Sequence, residues 1–241
     1  MNILITGATS GIGRQLTLDY LAEGHDVWAI GRNPDALAEL AEKGMHTGQL
    51  DLTDRTQTLD WFETLGSLDL AILNAGSCEY IDLPAFDSEL FRRVMRTNVE
   101  SMAISIEGVL PLLRRGTNPH LVLVGSSAAY LPLPRAEAYG ASKAAIAYLA
   151  DTLRVDLVRE GIDVSLVCPG FVKTPLTDKN EFAMPARVSV EEASRYIRRG
   201  ISRRKMEIHF PKHFTYFLKA MSLLPTWAWT KLSQRMIAHA E

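Results

Sequence analysis

Five short apolar runs recur along the chain: "NILIT" (2–6), "DVWAI" (26–30), "LDLAIL" (68–73), "HLVLVG" (120–125) and "IDVSLVC" (162–168). Each run is continuous rather than alternating, so a strand built from it is apolar on both faces and must be covered on both. That is the condition of a parallel sheet lying between two layers of helices. Stretches with helical periodicity separate the runs, at 12–23, 34–43, 54–65, 87–114 and 138–160. This alternation predicts an α/β fold, a doubly wound parallel sheet of about seven strands with helices on both faces. Asp87 and Ser88 are candidate caps for the long helix, and Gly161 is a candidate stop for the helix at 138–160. "MEIHF" (206–210) reads as the last strand. "CPGFVKTPLTDKNEFAMPARVSV" (168–190), with three prolines, reads as a loop with short helical pieces, of a length that often covers a site.

The chain has 241 residues, 47% of them hydrophobic and 22% charged, which suits one soluble domain spanning 1–241. Cys78 and Cys168 stand far apart with no Cys-x-x-Cys or His-rich context, so neither a disulfide framework nor a metal site is expected, and a reducing compartment fits. Strand-like sequence from Asn2 leaves no room for a signal peptide, and the expected location is the cytoplasm. The net charge of -2 is unevenly spread. From Arg198 to Glu241 nine Lys or Arg face only Glu207 and Glu241, giving +7 and leaving -9 on residues 1–197. No recognition motif accompanies the basic segment, so nucleic acid is not an expected partner.

"ITGATSGIGRQL" (5–16) joins the first strand to the first helix. Gly7, Gly11 and Gly13 allow a tight turn and a close approach of backbone to a pyrophosphate, which the exposed amides and positive end of the helix then favour. Strand, glycine turn and helix occur in the order that a dinucleotide site requires. At the end of the second strand an acidic residue would bind the ribose 2′-hydroxyl of NAD(H). The sequence there is "AIGRNP", with Gly31 in the acid's place and Arg32 next to it. A guanidinium pairs well with a phosphate, so the reading favours NADP(H) over NAD(H).

"AYGASKAAIAY" (138–148) places Tyr139 and Lys143 four apart, on one face of a helix. A cation beside a phenol stabilises the phenolate and lowers its pKa, which suits proton exchange near neutrality. Together with other segments this pair closely resembles the short-chain dehydrogenase/reductase family. The resemblance runs from Met1 to about Phe210 through "TGATSGIG" (6–13), "NAG" (74–76), "TNVE" (97–100), "VGSSAAY" (124–130), "YGASK" (139–143) and "CPGFVKT" (168–174), in family order and spacing.

The resemblance implies a Rossmann-type fold and hydride transfer between a nicotinamide and a carbonyl or alcohol carbon. It implies Ser126, thirteen positions before the tyrosine, as the residue that polarises the substrate oxygen, with Ser127 a packing hydroxyl. Tyr139 would exchange the proton. Lys143 would bind the nicotinamide ribose and lower the tyrosine pKa, and Asn98 would hold a water in a proton relay. It further implies that the cofactor lies along Gly7, Thr9, Ser10, Gly11, Ile12 and Gly13, with Arg32 at the 2′-phosphate. Asp51 and Leu52 would meet the adenine, although Asp51 can equally be a helix N-cap. Asn74, Ala75 and Gly76 would line the adenosine ribose, and Pro169, Gly170, Val172 and Thr174 would hold the carboxamide. No metal is implied. The same resemblance implies a homodimer or homotetramer through the helices at 87–114 and 138–160, where "GASKAAIA" allows close approach.

Candidate substrate contacts are Ser77, Cys78, the span 131–137 and the loop 175–190; Leu131, Leu133, Phe171, Phe182 and Met184 suggest an apolar pocket for a lipophilic carbonyl compound or secondary alcohol. The extension at 211–241 departs from the usual family ending. Phe214, Phe217, Leu218, Met221 and Leu224 follow helical spacing, Pro225 interrupts, and Trp227, Trp229 and Leu232 continue. This tail is too broken to span a membrane. It can pack over the pocket, form a subunit interface or lie on a membrane surface. The alternatives to a soluble reductase are a lipid-metabolising reductase at the inner membrane surface and a non-catalytic NADP(H)-sensing protein.

Overall fold

Each apolar run becomes a strand with little or no exposure along most of its length. In the computed structural model, which describes residues 1–179, 182 and 184–238, the strands are β1 (Asn2–Thr6), β2 (Asp26–Gly31), β3 (His46–Gln49), β4 (Leu70–Leu73), β5 (His120–Val124), β6 (Asp163–Pro169) and β7 (Glu207–Phe210). Positions 180, 181 and 183 of the expected substrate loop, and 239–241 of the C-terminal extension, lie outside the described residues. All the strands run parallel in one sheet of order β3-β2-β1-β4-β5-β6-β7. β4 and β5, in its middle, are buried at every position. β3 has no apolar run because it is an edge strand pairing only with β2, and only Gly48 of its "HTGQ" is buried.

Alternate side chains of one strand face opposite layers, as the pleat requires. Leu4 packs with Phe62, Val109 and Ile146 on the side of α3 (Arg55–Glu63), α5 (Ser101–Leu113) and α6 (Glu137–Leu157). Its neighbours Ile3 and Ile5 pack with Leu16, Leu40 and Ile197 on the side of α1 (Gly11–Ala22), α2 (Pro34–Glu42) and α7 (Val190–Ile201). The long helix expected at 87–114 is α4 (Ser88–Met95) continued into α5 through a π-helical turn at Arg96–Glu100. Asp87 is its cap, accepting the amides of Glu89 at 2.9 Å and Leu90 at 3.0 Å, while Ser88 is already inside the helix. Gly161 has a φ of 68° and ends the turn after α6.

α7 is absent from the helical stretches read in the sequence. It begins with a reciprocal capping box, in which Ser189 takes the Glu192 amide at 3.2 Å and the Glu192 carboxylate takes the Ser189 amide at 3.0 Å. Its inner face is fastened to α1 by Ser194 Oγ donating to Asp19 at 2.5 Å.

The tail folds into α8 (Lys212–Met221) and α9 (Thr226–Ala238), broken at Ser222–Pro225. α8 is moored to β7, because Glu207 accepts the Tyr130 hydroxyl at 2.6 Å and pairs with Lys219. α9 buries Trp229, whose indole donates to Pro132 O at 2.9 Å. Among the described residues, no helix is long and apolar enough to cross a membrane.

Removing the Ser189 hydroxyl leaves a first-turn amide of α7 without its acceptor. Ser189→Ala is expected to lower stability by about 1 kcal/mol, read as a lower urea midpoint at unchanged m-value, and Ser189→Asp to restore most of it.

Candidate active site

The glycine turn separates two demands. Gly7 and Gly11 adopt φ of 66° and 53°, in the left-handed region that a side chain disfavours. Gly13 is helical and is required by contact instead, because a Cβ there would lie 2.2 Å from Gly7 O. Ser10, preceding α1, makes no side-chain cap, so the first-turn amides and positive end of the helix face the cleft. Thr9 packs against the end of β2, where a Cβ on Gly31 would meet its methyl at 2.4 Å. Asn74 braces the turn from the neighbouring strand end, its Nδ2 donating to Thr6 O at 3.1 Å and Gly7 O at 3.4 Å. The Thr6 hydroxyl returns two bonds, accepting from the amides of Asn74 and Ala75 at 2.9 and 3.1 Å.

At the ends of β2 and β3, Arg32 is exposed and Leu52 is buried. Asp51 is not the cap of α3. That role belongs to Asp54, which accepts the Gln57 amide at 3.0 Å, while Asp51 closes a local turn by accepting Thr53 N and Oγ1 at 3.0 and 2.9 Å. The Thr53 amide holds the Asp51 carboxyl below its ordinary range, and the fields of Arg32 and Arg96 act in the same direction. Arg96, on the π-helical turn, thus belongs to this cationic corner. A lone arginine inside a helical pattern gives no sequence signal of that.

Ile12, Asn74, Gly76, Ser126, Tyr139, Lys143, Pro169, Gly170, Val172 and Thr174, all expected from sequence, line one cleft. Ser77, Leu176 and Thr177 join them, whereas Ser127 does not. The Ser126 hydroxyl is hydrogen-bonded to the Tyr139 phenol and accepts the Ala128 amide at 3.1 Å. Lys143 is buried, donates to Val124 O at 3.1 Å, and stands 5.7 Å from the centroid of the Tyr139 ring. Burial lowers its pKa to about 8.

The expectation that the ammonium makes the phenol acidic is not met. Burial pushes the Tyr139 phenol above its usual value, Cys78 adds to the rise, and only the hydrogen bond with Ser126 opposes it. Lys143 donates to a backbone carbonyl, and desolvation is the largest influence on the phenol.

Asn98 is buried on the π-helical turn with its amide fully engaged. It accepts the Ser77 amide at 2.7 Å and donates to Ser77 O and Ser142 Oγ, both at 2.9 Å. Ser142 in turn donates to Tyr139 O at 2.7 Å. The side chain therefore clamps the β4 turn to the Tyr139 helix. Ser77 Oγ, fixed by that clamp, is buried with no hydrogen-bond partner.

Tyr80, Phe182, Phe171 and Phe214 make successive ring contacts of 5.5, 6.1 and 5.6 Å, from the segment after β4 to α8. Arg187 donates to Thr177 Oγ1 at 3.0 Å and pairs with Asp178, tying the two ends of the loop together.

Because burial lowers the proton affinity of Lys143, the unfolded chain holds that proton more tightly between pH 8 and 10.5. The group therefore destabilises the fold below pH 8, and the cost fades as the pH rises through that window. Lys143→Met is expected to be more stable than the parent at neutral pH by on the order of 1–3 kcal/mol, the gap closing as pH is raised, in urea titrations compared across that range.

Comparison with known proteins places this cleft in context. A family model described as short chain dehydrogenase matches residues 1–184. An uncharacterized oxidoreductase of Myxococcus xanthus is 34% identical over 92% of both chains. The 11-beta-hydroxysteroid dehydrogenase 1A of Arabidopsis thaliana is 30% identical over 82% of this chain and 60% of its own. Among solved structures, a closed form of serine dehydrogenase complexed with NADP+ superposes with a TM-score of 0.74 at 26% identity, covering 84% of this chain and 89% of that one. A short-chain dehydrogenase from Streptomyces avermitilis gives 0.81 at 20% identity over 100% and 98% of the chains, a likeness of fold.

Proposed function

This chain belongs to the short-chain dehydrogenase family, and from that premise we propose that it is an NADP(H)-dependent oxidoreductase acting on a lipophilic carbonyl compound or secondary alcohol. The carrying observation is the convergence of Ser126, Tyr139 and Lys143 on the cleft into which the glycine turn opens. The residues present fit a dinucleotide: left-handed Gly7 and Gly11 keep side chains off the first turn of α1, where amides and dipole favour phosphate. A Cβ on Gly11 would approach the Thr174 methyl to 3.1 Å, narrowing that passage.

Bound there, the nicotinamide supplies the hydride. In reduction negative charge grows on the substrate oxygen, and Ser126 and Tyr139 are donors already aimed into the cleft. The raised proton affinity of Tyr139 keeps it protonated and able to donate. Its proton leaves to that oxygen as charge develops, and the buried Lys143 ammonium, 5.7 Å from the ring centroid, then stabilises the phenolate. Asn98 positions both Ser77 and the Tyr139 helix by its clamp, and its role is one of placement. Thr177 and Val172 shape the carboxamide end, with Thr177 Oγ1 donating to Val172 O at 2.5 Å.

Arg32, in the place of an acid, supports NADP(H), and Arg96 adds positive charge at the same corner. A related structure described as an NADP+ complex points the same way. The aromatic chain from Tyr80 to Phe214, which takes in Phe182 of the loop expected to cover the site, supports a lipophilic substrate. The reading also holds the chain to one catalytic domain in the cytoplasm, paired through α4, α5 and α6, where Tyr148 and Val155 of α6 stand exposed.

A panel of ketones, aldehydes and secondary alcohols, with NADPH and NADH compared by loss of reduced-cofactor absorbance, tests the proposal. Tyr139→Phe is expected to lower kcat/KM by about 10²–10⁴-fold. Arg32→Ala is expected to raise the KM for NADPH about tenfold while sparing NADH. Tight NADPH binding without turnover, unaffected by Tyr139→Phe, would assign the chain to sensing instead. Equal efficiency with both cofactors would remove the part given to Arg32.

A further inference from the structure

The outer face of the C-terminal helices takes no part in the cleft. α8 turns Thr215 and Leu218 inward and α9 turns Trp229 inward. Phe217 (56% exposed), Leu223 (85%) and Trp227 (73%) stand in solvent around the Ser222–Pro225 turn, with Leu224 and Leu232 also exposed beside them. Trp227, Ala228, Lys231 and Leu232 line a shallow groove on that face. So many large apolar side chains on one short knuckle exceed the scattered exposure of an ordinary surface.

The charge there has one sign. From Ile208 to Ala240 the sequence contains no Asp or Glu, but it contains Lys212, Lys219, Lys231 and Arg235. Lys219 is engaged with Glu207, while Lys212 and Lys231 are exposed. A protein partner would need a matching hollow for Leu223, which protrudes at the tip of a turn. A fluid interface adapts to such a point, and tryptophan beside lysine is the composition that settles at the boundary of headgroup and acyl chain.

We propose that this knuckle docks on an anionic phospholipid surface, with Phe217, Leu223 and Trp227 entering the headgroup boundary and Lys231 meeting lipid phosphates. Docking seats the protein on the bilayer without crossing it, since neither helix is long and apolar enough to span. The face also adjoins the cleft. Phe214, on the inner side of α8, meets Phe171 at 5.6 Å and lies against Gly170 of the cleft lining, so α8 has its outer side on the lipid and its inner side beside the cleft. The surface stands independently of the chemistry assigned to the cleft.

The test is co-sedimentation of the full chain with vesicles of phosphatidylcholine alone and of phosphatidylcholine containing about 30% phosphatidylglycerol. Binding is expected to the anionic vesicles, falling as salt is added. The double variant Leu223→Ser, Trp227→Ser is expected to weaken it at least about tenfold, and Lys231→Glu to weaken it further at low salt. Both positions of the double variant are exposed, so its thermal unfolding should match the parent's, showing that the loss is not misfolding. Wild-type protein that stays in the supernatant, binds neutral vesicles equally well, or pellets undiminished in the double variant would overturn the proposal. So would a double variant that turns a lipid-free oligomer into a monomer, which would assign the face to a second copy of the chain.

Discussion

The bonds between the ends of β1 and β4 hold the site open. In the order β3-β2-β1-β4-β5-β6-β7 the chain winds outward from β1 in one direction and from β4 in the other, so a crevice is left between their carboxyl ends. Thr6 and Asn74 face each other across that crevice with four hydrogen bonds, two from Asn74 Nδ2 to the glycine turn and two from backbone amides to the Thr6 hydroxyl. Without them a turn whose first residues have left-handed or unsupported backbone could close over the cleft. The residues behind it repeat the arrangement. Asn98 fastens the next turn of chain, at Ser77, to the helix that carries Tyr139 and Lys143.

Placement of Lys143 has a stability cost that the fold tolerates. A buried ammonium with one carbonyl partner is poorly compensated for leaving water, and this desolvation lowers its pKa. The Tyr139 phenol, desolvated in the same cleft, is driven in the neutral direction as well. Two groups thus share one environment that disfavours charge on each.

Sequence reveals those parts of this architecture that are dictated by short-range chemistry. The central strands are legible because both faces are buried, and the glycine turn is legible because its backbone admits few residues. β3 is not, because an edge strand covered on one side needs no apolar run. α7 carries its own signal in Ser189 and Glu192, three apart ahead of an amphipathic stretch, and the prolines upstream mask it. The identity of the α3 cap, Asp54 rather than Asp51, turns on three residues of register that spacing cannot fix. Tyr139 and Lys143 are found at once from their spacing, but the direction of the phenol's shift depends on what surrounds it. Burial in the folded cleft decides it, with Cys78 adding to the rise and Ser126 opposing it. Arg96 is hidden for the same reason, since its closeness to Asp51 exists only in the folded chain.

The tail shows how one amphipathic pattern can serve two surfaces. Helical spacing of Phe214, Phe217, Leu218 and Met221 covers more of the α8 circumference than one core contact needs. The fold uses Phe214, Leu218 and Met221 against Leu131, Leu133 and Trp229, and leaves Phe217 outside. Pro225 then breaks the run, so that α9 can send Trp229 back towards Pro132 while Trp227, two residues earlier, points away. The break therefore seats Trp229 against the strip of Leu131 and Leu133 and leaves an apolar point exposed beside it.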